Sequence, residues 1–150
     1  LHRKLVDELG QTWHISQSQT YAILKRLEAQ GYIFSTTVQQ KKLPAIQNLA
    51  ISPTGRQRFD AWRETPTGSS VRAIRVEFIT RLYFAQSLAP EKILPMLETQ
   101  ASEIQATLGR LEASLAALPD AQKFNRLSLQ LRIRQLESIL EWLAEGRKAF

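Results

Sequence analysis

The sequence predicts a mainly α-helical chain with one small β-hairpin, and three observations carry that expectation. Ser16 to Gly31 reads as a capped amphipathic helix, followed at once by a run of β-branched and aromatic residues. Ile104, Leu108, Leu111, Leu115 and Leu118 repeat at 4-3-4-3 spacing, and so do Leu129, Ile133, Leu136, Leu140 and Leu143. Between these halves, Glu64 to Ser70 (ETPTGSS) concentrates helix and strand breakers. Helix then hairpin is the order of a winged helix-turn-helix. The expected fold is therefore a winged helix-turn-helix DNA-binding domain with a small hairpin wing, plus a C-terminal antiparallel helical dimerisation domain.

Each element has its own local reason. His2 to Leu9 places Leu5, Val6 and Leu9 on one side of a short helix that ends at Gly10, and Trp13 and Ile15 anchor the turn that follows. Ser16 with Gln19 three residues on forms a capping box, Ile23, Leu24 and Leu27 make the buried face, and Gly31 supplies a left-handed stop. Tyr32 to Gln39 and Ile46 to Ile51 are the two strands, with Gln40 to Ala45 as the connecting tip, where Lys41 and Lys42 sit beside Pro44. Ser52-Pro53 opens the next helix with a hydroxyl cap and a proline at the first helical position, and Phe59 and Trp62 share one of its faces. Val71 to Leu88, Pro90 to Leu118 and Ala121 to Lys148 are expected helices, separated by Ala89-Pro90 and Pro119-Asp120. The expected division is 1–64 as the winged helix, 65–70 as linker and 71–150 as the helical domain.

Composition narrows the function. The chain has 150 residues, 43% hydrophobic, which allows one domain or two small ones with a real core. It has no cysteine, which removes disulfide frameworks, thiol catalysis and cysteine-based zinc sites. His2 and His14 are too far apart for a helical ligand pair, so no metal site and no cofactor are expected. No apolar run approaches the ~20 residues that span a bilayer, and the expected location is cytoplasmic, away from membranes. Net charge is +6, and it is concentrated: residues 1–59 hold eight Lys/Arg against three acidic side chains, while the other 91 hold twelve against eleven. A basic first part on a nearly neutral remainder is the footprint of a phosphate-binding module.

The exposed first turn of the Ser16 helix carries Gln17, Ser18, Gln19 and Thr20, short polar side chains suited to base edges or phosphates near a helix start. With Ser16 they are the first candidate contacts to double-stranded DNA. Lys25 and Arg26 are candidates for the DNA backbone, and Lys41 and Lys42 for an adjacent minor groove. The helical half offers more apolar surface than one hairpin needs, because Phe124, Leu127 and Leu131 add a second strip and residues 74–84 add more. Homodimerisation is expected there, with Phe78, Leu82, Leu129, Ile133, Leu136, Leu140 and Leu143 as candidate interface residues.

Tyr21-Ala22-Ile23-Leu24-Lys25-Arg26-Leu27-Glu28-Ala29-Gln30-Gly31-Tyr32-Ile33, taken with Ser52-Pro53-Thr54-Gly55-Arg56 and the later Trp62, resembles the PadR family of bacterial transcriptional regulators, in its members with a longer helical C-terminal region. The resemblance covers nearly the whole chain. It implies that the Tyr21 hydroxyl meets a phosphate, and that a first helix beneath the other two lies upstream of Leu1. It also implies a homodimeric repressor on a promoter operator, relieved by a small aromatic effector that the sequence does not identify. Trp62, Trp142, Phe78, Tyr83 and Phe84 are the aromatic residues from which an effector pocket would be built, and at helical spacing they read first as core. The alternative is a protein-interaction module whose winged helix no longer binds DNA. An enzyme is not expected, since there is no Gly-rich phosphate loop and no nucleophile with a His/acid pair.

Overall fold

The structure, a computed structural model, describes residues 1–38 and 46–150. It divides into two compact units, Leu1–Thr65 and Pro66–Phe150.

The first unit runs α1 (His2–Leu9), α2 (Gln17–Ala29), β1 (Ile33–Val38), β2 (Ile46–Ile51) and α3 (Pro53–Glu64). After α1 the chain folds back on itself: Thr12 N–H and Trp13 N–H both donate to the Leu9 carbonyl, and His2 Nε2 lies 3.1 Å from the Ile15 carbonyl oxygen that accepts its proton. The capping box of α2 is complete, with Gln19 N–H donating to Ser16 Oγ and Ser16 N–H donating to Gln19 Oε1. Two of the helix's orphan donors are thereby satisfied. At the far end Gly31 adopts φ 72°, Tyr32 N–H reaches the Leu27 carbonyl and Gly31 N–H the Glu28 carbonyl, each at 2.9 Å. That pair of bonds is a Schellman motif, and the left-handed residue it needs is the glycine. The strands then pair antiparallel, Ile33 opposite Ile51 and Val38 opposite Ile46. The tip with Lys41, Lys42 and Pro44 lies outside the described residues.

Ser52 closes the neck of the hairpin. Its N–H donates to the Tyr32 carbonyl at 2.9 Å, its Oγ donates to the Gly31 carbonyl at 2.6 Å, and the same Oγ accepts from Gly55 N–H to cap α3. Gly55 is buried against this neck, and a Cβ there would stand 2.0 Å from the Tyr32 carbonyl oxygen. On α3, Arg58 donates to the Tyr32 hydroxyl and lies over its ring, and Phe59 and Trp62 are in contact with ring centroids 5.9 Å apart.

The inner face of α2 departs from expectation. Thr20 is buried and donates its hydroxyl to the Ser16 carbonyl, while Ile23 is exposed and Leu24 and Leu27 are only half-buried. Thr20 therefore does not belong to the exposed polar turn. The phase of the helix decides this, since a residue one turn on from the cap lies on the same side as Leu24 and Leu27. The apolar side chains of the unit do not close over one another: Leu27, Ile33, Ile51, Phe59 and Trp62 line an open groove of about 470 Å³.

The second unit runs α4 (Val71–Ala73), a π-helical turn (Ile74–Phe78), α5 (Ile79–Leu88), a 3₁₀ turn (Pro90–Lys92), α6 (Ile93–Ala116) and α7 (Lys123–Ala149). Ser70 caps α4 by accepting from Ala73 N–H. α6 and α7 are antiparallel, as the bonds from Arg147 to Glu98 at one end and from Arg126 to the Leu118 carbonyl at the other require. Their seams interlock: Leu97, Ile104 and Leu143 are fully buried, with Ile74, Phe78, Leu111, Ile133 and Leu136 around them.

This core takes up the residues expected at a dimer interface. Phe78, Ile133, Leu136 and Leu143 are buried within the chain, and Leu82, Leu129 and Leu140 pack against them. The 4-3 seam of α7 packs on α6 of the same molecule, with Leu82, Leu129 and Leu140 left partly exposed. Among the apolar side chains of this unit that stay exposed, which include Leu88, Leu94 and Phe150, the most exposed are Phe124, Leu127 and Leu131, at 87%, 61% and 60%. Of the aromatic residues weighed for an effector, Phe78 is core, Tyr83 and Phe84 meet edge to face, and Trp142 borders a shallow apolar cleft of about 160 Å³.

Arg81, on α5, is 4% exposed and donates to the Thr67 hydroxyl, while Gln100 on α6 donates to the Thr67 carbonyl. Burial lowers the Arg81 pKa from its ordinary value, and Glu77, 3.8 Å away, opposes the shift. Thr67 is therefore held by a buried guanidinium, the strongest kind of hydrogen-bond donor a side chain offers.

Candidate nucleic-acid interface

The capped end of α2 and its outer face form the candidate site. At 100° per residue, Ser18, Tyr21, Ala22, Lys25, Arg26 and Ala29 fall on the side opposite Thr20, Leu24 and Leu27. All six are exposed, and Tyr21 is 63% accessible. Ala22 and Ala29 keep the stripe low, so a flat or grooved partner can approach the helix closely while the longer Tyr21, Lys25 and Arg26 reach past them.

The polar atoms at the helix start differ in what they have left to offer. Gln19 Oε1 is held by the capping box, and its amide nitrogen has no partner among the described residues. Ser16 Oγ sits 3.0 Å from Ser18 Oγ, which links the cap to the exposed stripe. Gln17 projects from the first turn, exposed. Of the candidates predicted from sequence, the structure brings Ser16, Gln17, Ser18, Gln19, Tyr21, Lys25 and Arg26 onto one end and one face of a single helix. Thr20 turns away, and Lys41 and Lys42 fall outside the described residues.

Electrostatics separate these cations from their neighbours. Arg3 and Lys4 face Asp7 and Glu8 across one turn of α1, Arg63 pairs with Asp60, and Arg58 is engaged by Tyr32. Glu28, the one acidic residue on α2, receives a bond from Ser35 of β1. Lys25 and Arg26 have no ion-pair partner among the described residues, so their charge faces outward uncancelled. Arg56, in the first turns of α3, is a third such cation, and sequence reading gave it no binding role. Its signal was present in the Ser52–Arg56 motif, but only the hydrogen-bond accounting sets it apart from Arg58.

The family model described as virulence activator alpha C-term matches residues 74–150, just over half of the chain. The negative transcriptional regulator PadR of Bacillus subtilis is 32% identical over 115 residues, which cover 75% of this chain. The chain belongs to the PadR family and carries the virulence activator alpha C-term region. It spans 61% of the length of that Bacillus subtilis relative. A probable transcriptional regulator of Mycobacterium tuberculosis is 26% identical, with 99% of this chain and 87% of the relative covered. Among solved structures, Bacillus subtilis PadR in complex with operator DNA is 24% identical over 99% of this chain and 86% of that one, with a TM-score of 0.42. Within this PadR-family chain the outer face of α2 belongs to the first unit, and the virulence activator alpha C-term match lies wholly in the second. Among the described residues no helix is long and apolar enough to cross a membrane.

Proposed function

We propose that this chain is a sequence-specific, DNA-binding transcriptional regulator that acts as a homodimeric repressor in the cytoplasm, without catalytic activity. The observation that carries the reading is the outer face of α2, where a capped polar turn leads into Tyr21 and into Lys25 and Arg26, two cations without an ion-pair partner among the described residues. A helix of this kind, held by a second helix and followed by a hairpin, enters a major groove with its first turn at the base edges. The names of the two curated relatives, both transcriptional regulators and one a negative one, support the same reading.

In this reading Gln17, Ser18 and the Gln19 amide contact base edges, and Tyr21, Lys25 and Arg26 hold phosphates. The experiment is binding of the full chain to its own upstream DNA and to scrambled DNA of equal length across a salt series. Sequence-selective binding with a steep salt slope is the expected result. Binding that is weak and unselective on every genomic fragment in a capture experiment overturns it.

Two copies place two α2 helices on half-sites about one helical turn apart, which is why the dimer belongs to the proposal. The surface for it is the strip of Phe124, Leu127 and Leu131 on α7, spaced i, i+3, i+7 and left uncovered by the chain's own core. Replacing Leu127 and Leu131 together by glutamate is expected to convert dimer to monomer in sedimentation, with the helical content unchanged. A dimer that survives both charges would place the contact elsewhere. Release from DNA by a small-molecule effector completes the proposed cycle, through a shift between dimer geometries of different half-site spacing.

A further inference from the structure

The second unit contains a cleft of about 440 Å³ between Ser69 and Arg72 on one side and α6 and α7 on the other. Its size falls in the range of small-molecule sites. Arg72 and Arg132 are the charged side chains that line it, and no carboxylate does. Neither guanidinium has a hydrogen-bond or ion-pair partner among the described residues. Other arginines of this unit are engaged: Arg126 with Asp120 and the Leu118 carbonyl, Arg147 with Glu98, Arg110 with Thr107. The Gln135 carboxamide at the same wall is also without a partner among the described residues, whereas the Thr107 hydroxyl is taken up by the Glu103 carbonyl and Arg110. Leu136, 5% exposed, supplies an apolar floor.

We propose that this cleft binds a small organic dianion, a phosphate monoester, whose phosphate is held between Arg72 and Arg132 and whose ester group rests on Leu136. Two cations in one cleft with no local counter-charge repel one another, and a ligand of charge −2 cancels both. A phosphate presents three terminal oxygens, enough for two guanidinium forks and the Gln135 amide at once. A monocarboxylate has two oxygens and one charge, and it satisfies one fork. The ligand would join residues 69–72 to α7 across the cleft. This assignment stands independently of DNA binding.

The test is isothermal titration of the full chain with phenyl phosphate, ionic strength held constant with sodium chloride. Saturable binding to one site per chain is expected, weakened at least tenfold by Arg132→Gln and by Arg72→Gln, and abolished in the double variant. Both side chains are exposed and unpartnered, so the variants should match the parent in circular dichroism and, without ligand, in melting temperature. Arg132→Lys keeps the charge but loses the fork and should fall between parent and Arg132→Gln. Absence of binding, or equal binding by the double variant, overturns the site. Benzoate binding as tightly as phenyl phosphate overturns the dianion assignment, and inorganic phosphate binding as tightly overturns the role of the ester group.

Discussion

Replacing Gly55 with alanine is expected to cost the first unit about 3 kcal/mol or more, enough to separate its melting from that of the second unit. The added Cβ would lie 2.0 Å from the Tyr32 carbonyl oxygen, 2.8 Å from its carbon and 3.0 Å from Ile51 Cγ1. Two of those three atoms are backbone, and that carbonyl already accepts from Ser52 N–H, so the clash cannot be relieved by a rotamer change. The start of α3 must move away from the hairpin neck, which breaks the Ser52 bonds and uncovers Ile51. Losses of this size come from strain at a tightly packed backbone site. Two-wavelength melting, or hydrogen exchange read separately over 1–65 and 66–150, measures it. An alanine variant as stable as the parent would show that the neck is looser than described. Because the two units are separate compact bodies, the helical hairpin of α6 and α7 should keep its stability in this variant.

The joint substitution of Lys25 and Arg26 by alanine is the second large effect. If both hold phosphates, affinity for every DNA sequence should fall by about 100-fold or more at ~0.1 M salt, since charge-assisted bonds contribute roughly 1.5–3 kcal/mol each. The plot of log affinity against log salt should flatten by about two, one for each phosphate released. Selectivity between operator and scrambled DNA should change little, because phosphate contacts position the protein without reading bases. Filter binding or fluorescence anisotropy at several salt concentrations gives all three quantities together. An unchanged salt slope would remove both residues from the interface. A variant at Ser18 or Gln17 should show the opposite pattern, with lost selectivity and an intact slope.

What was legible in the sequence is what short stretches determine by themselves. The Ser16 and Gln19 pair, the Gly31 stop, and Ser52 with Pro53 each act over three or four residues, and α2 starts and stops, and α3 starts, where those signals put them. The exposed stripe of α2 was legible for the same reason, apart from Thr20, whose phase on the helix carries it inward. Less could be read where a distant partner decides. The 4-3 spacing of α7 states that a face is apolar without saying which helix covers it, and in the structure the chain's own α6 packs against it. The buried Arg81 is another such case, since the oxygen it donates to belongs to Thr67, 14 residues earlier. The π turn at Ile74–Phe78 left no mark either, because its bond from Ile79 N–H to the Ile74 carbonyl needs no particular side chain.

The bonds of Ser52 to Gly31 and Tyr32 have a bearing on how such a protein can diverge. They join the last turn of α2 to the first turn of α3 directly, so the scaffold that carries the outer face of α2 is closed below the strands. Whatever lies between β1 and β2 is then a detour from a sealed ring. Lengthening a detour of this kind costs only the slow logarithmic increase of loop-closure entropy, about 0.6 kcal/mol for each doubling. The connection between the strands can be lengthened or shortened by inheritance while the register and stability of α2 are left as they are.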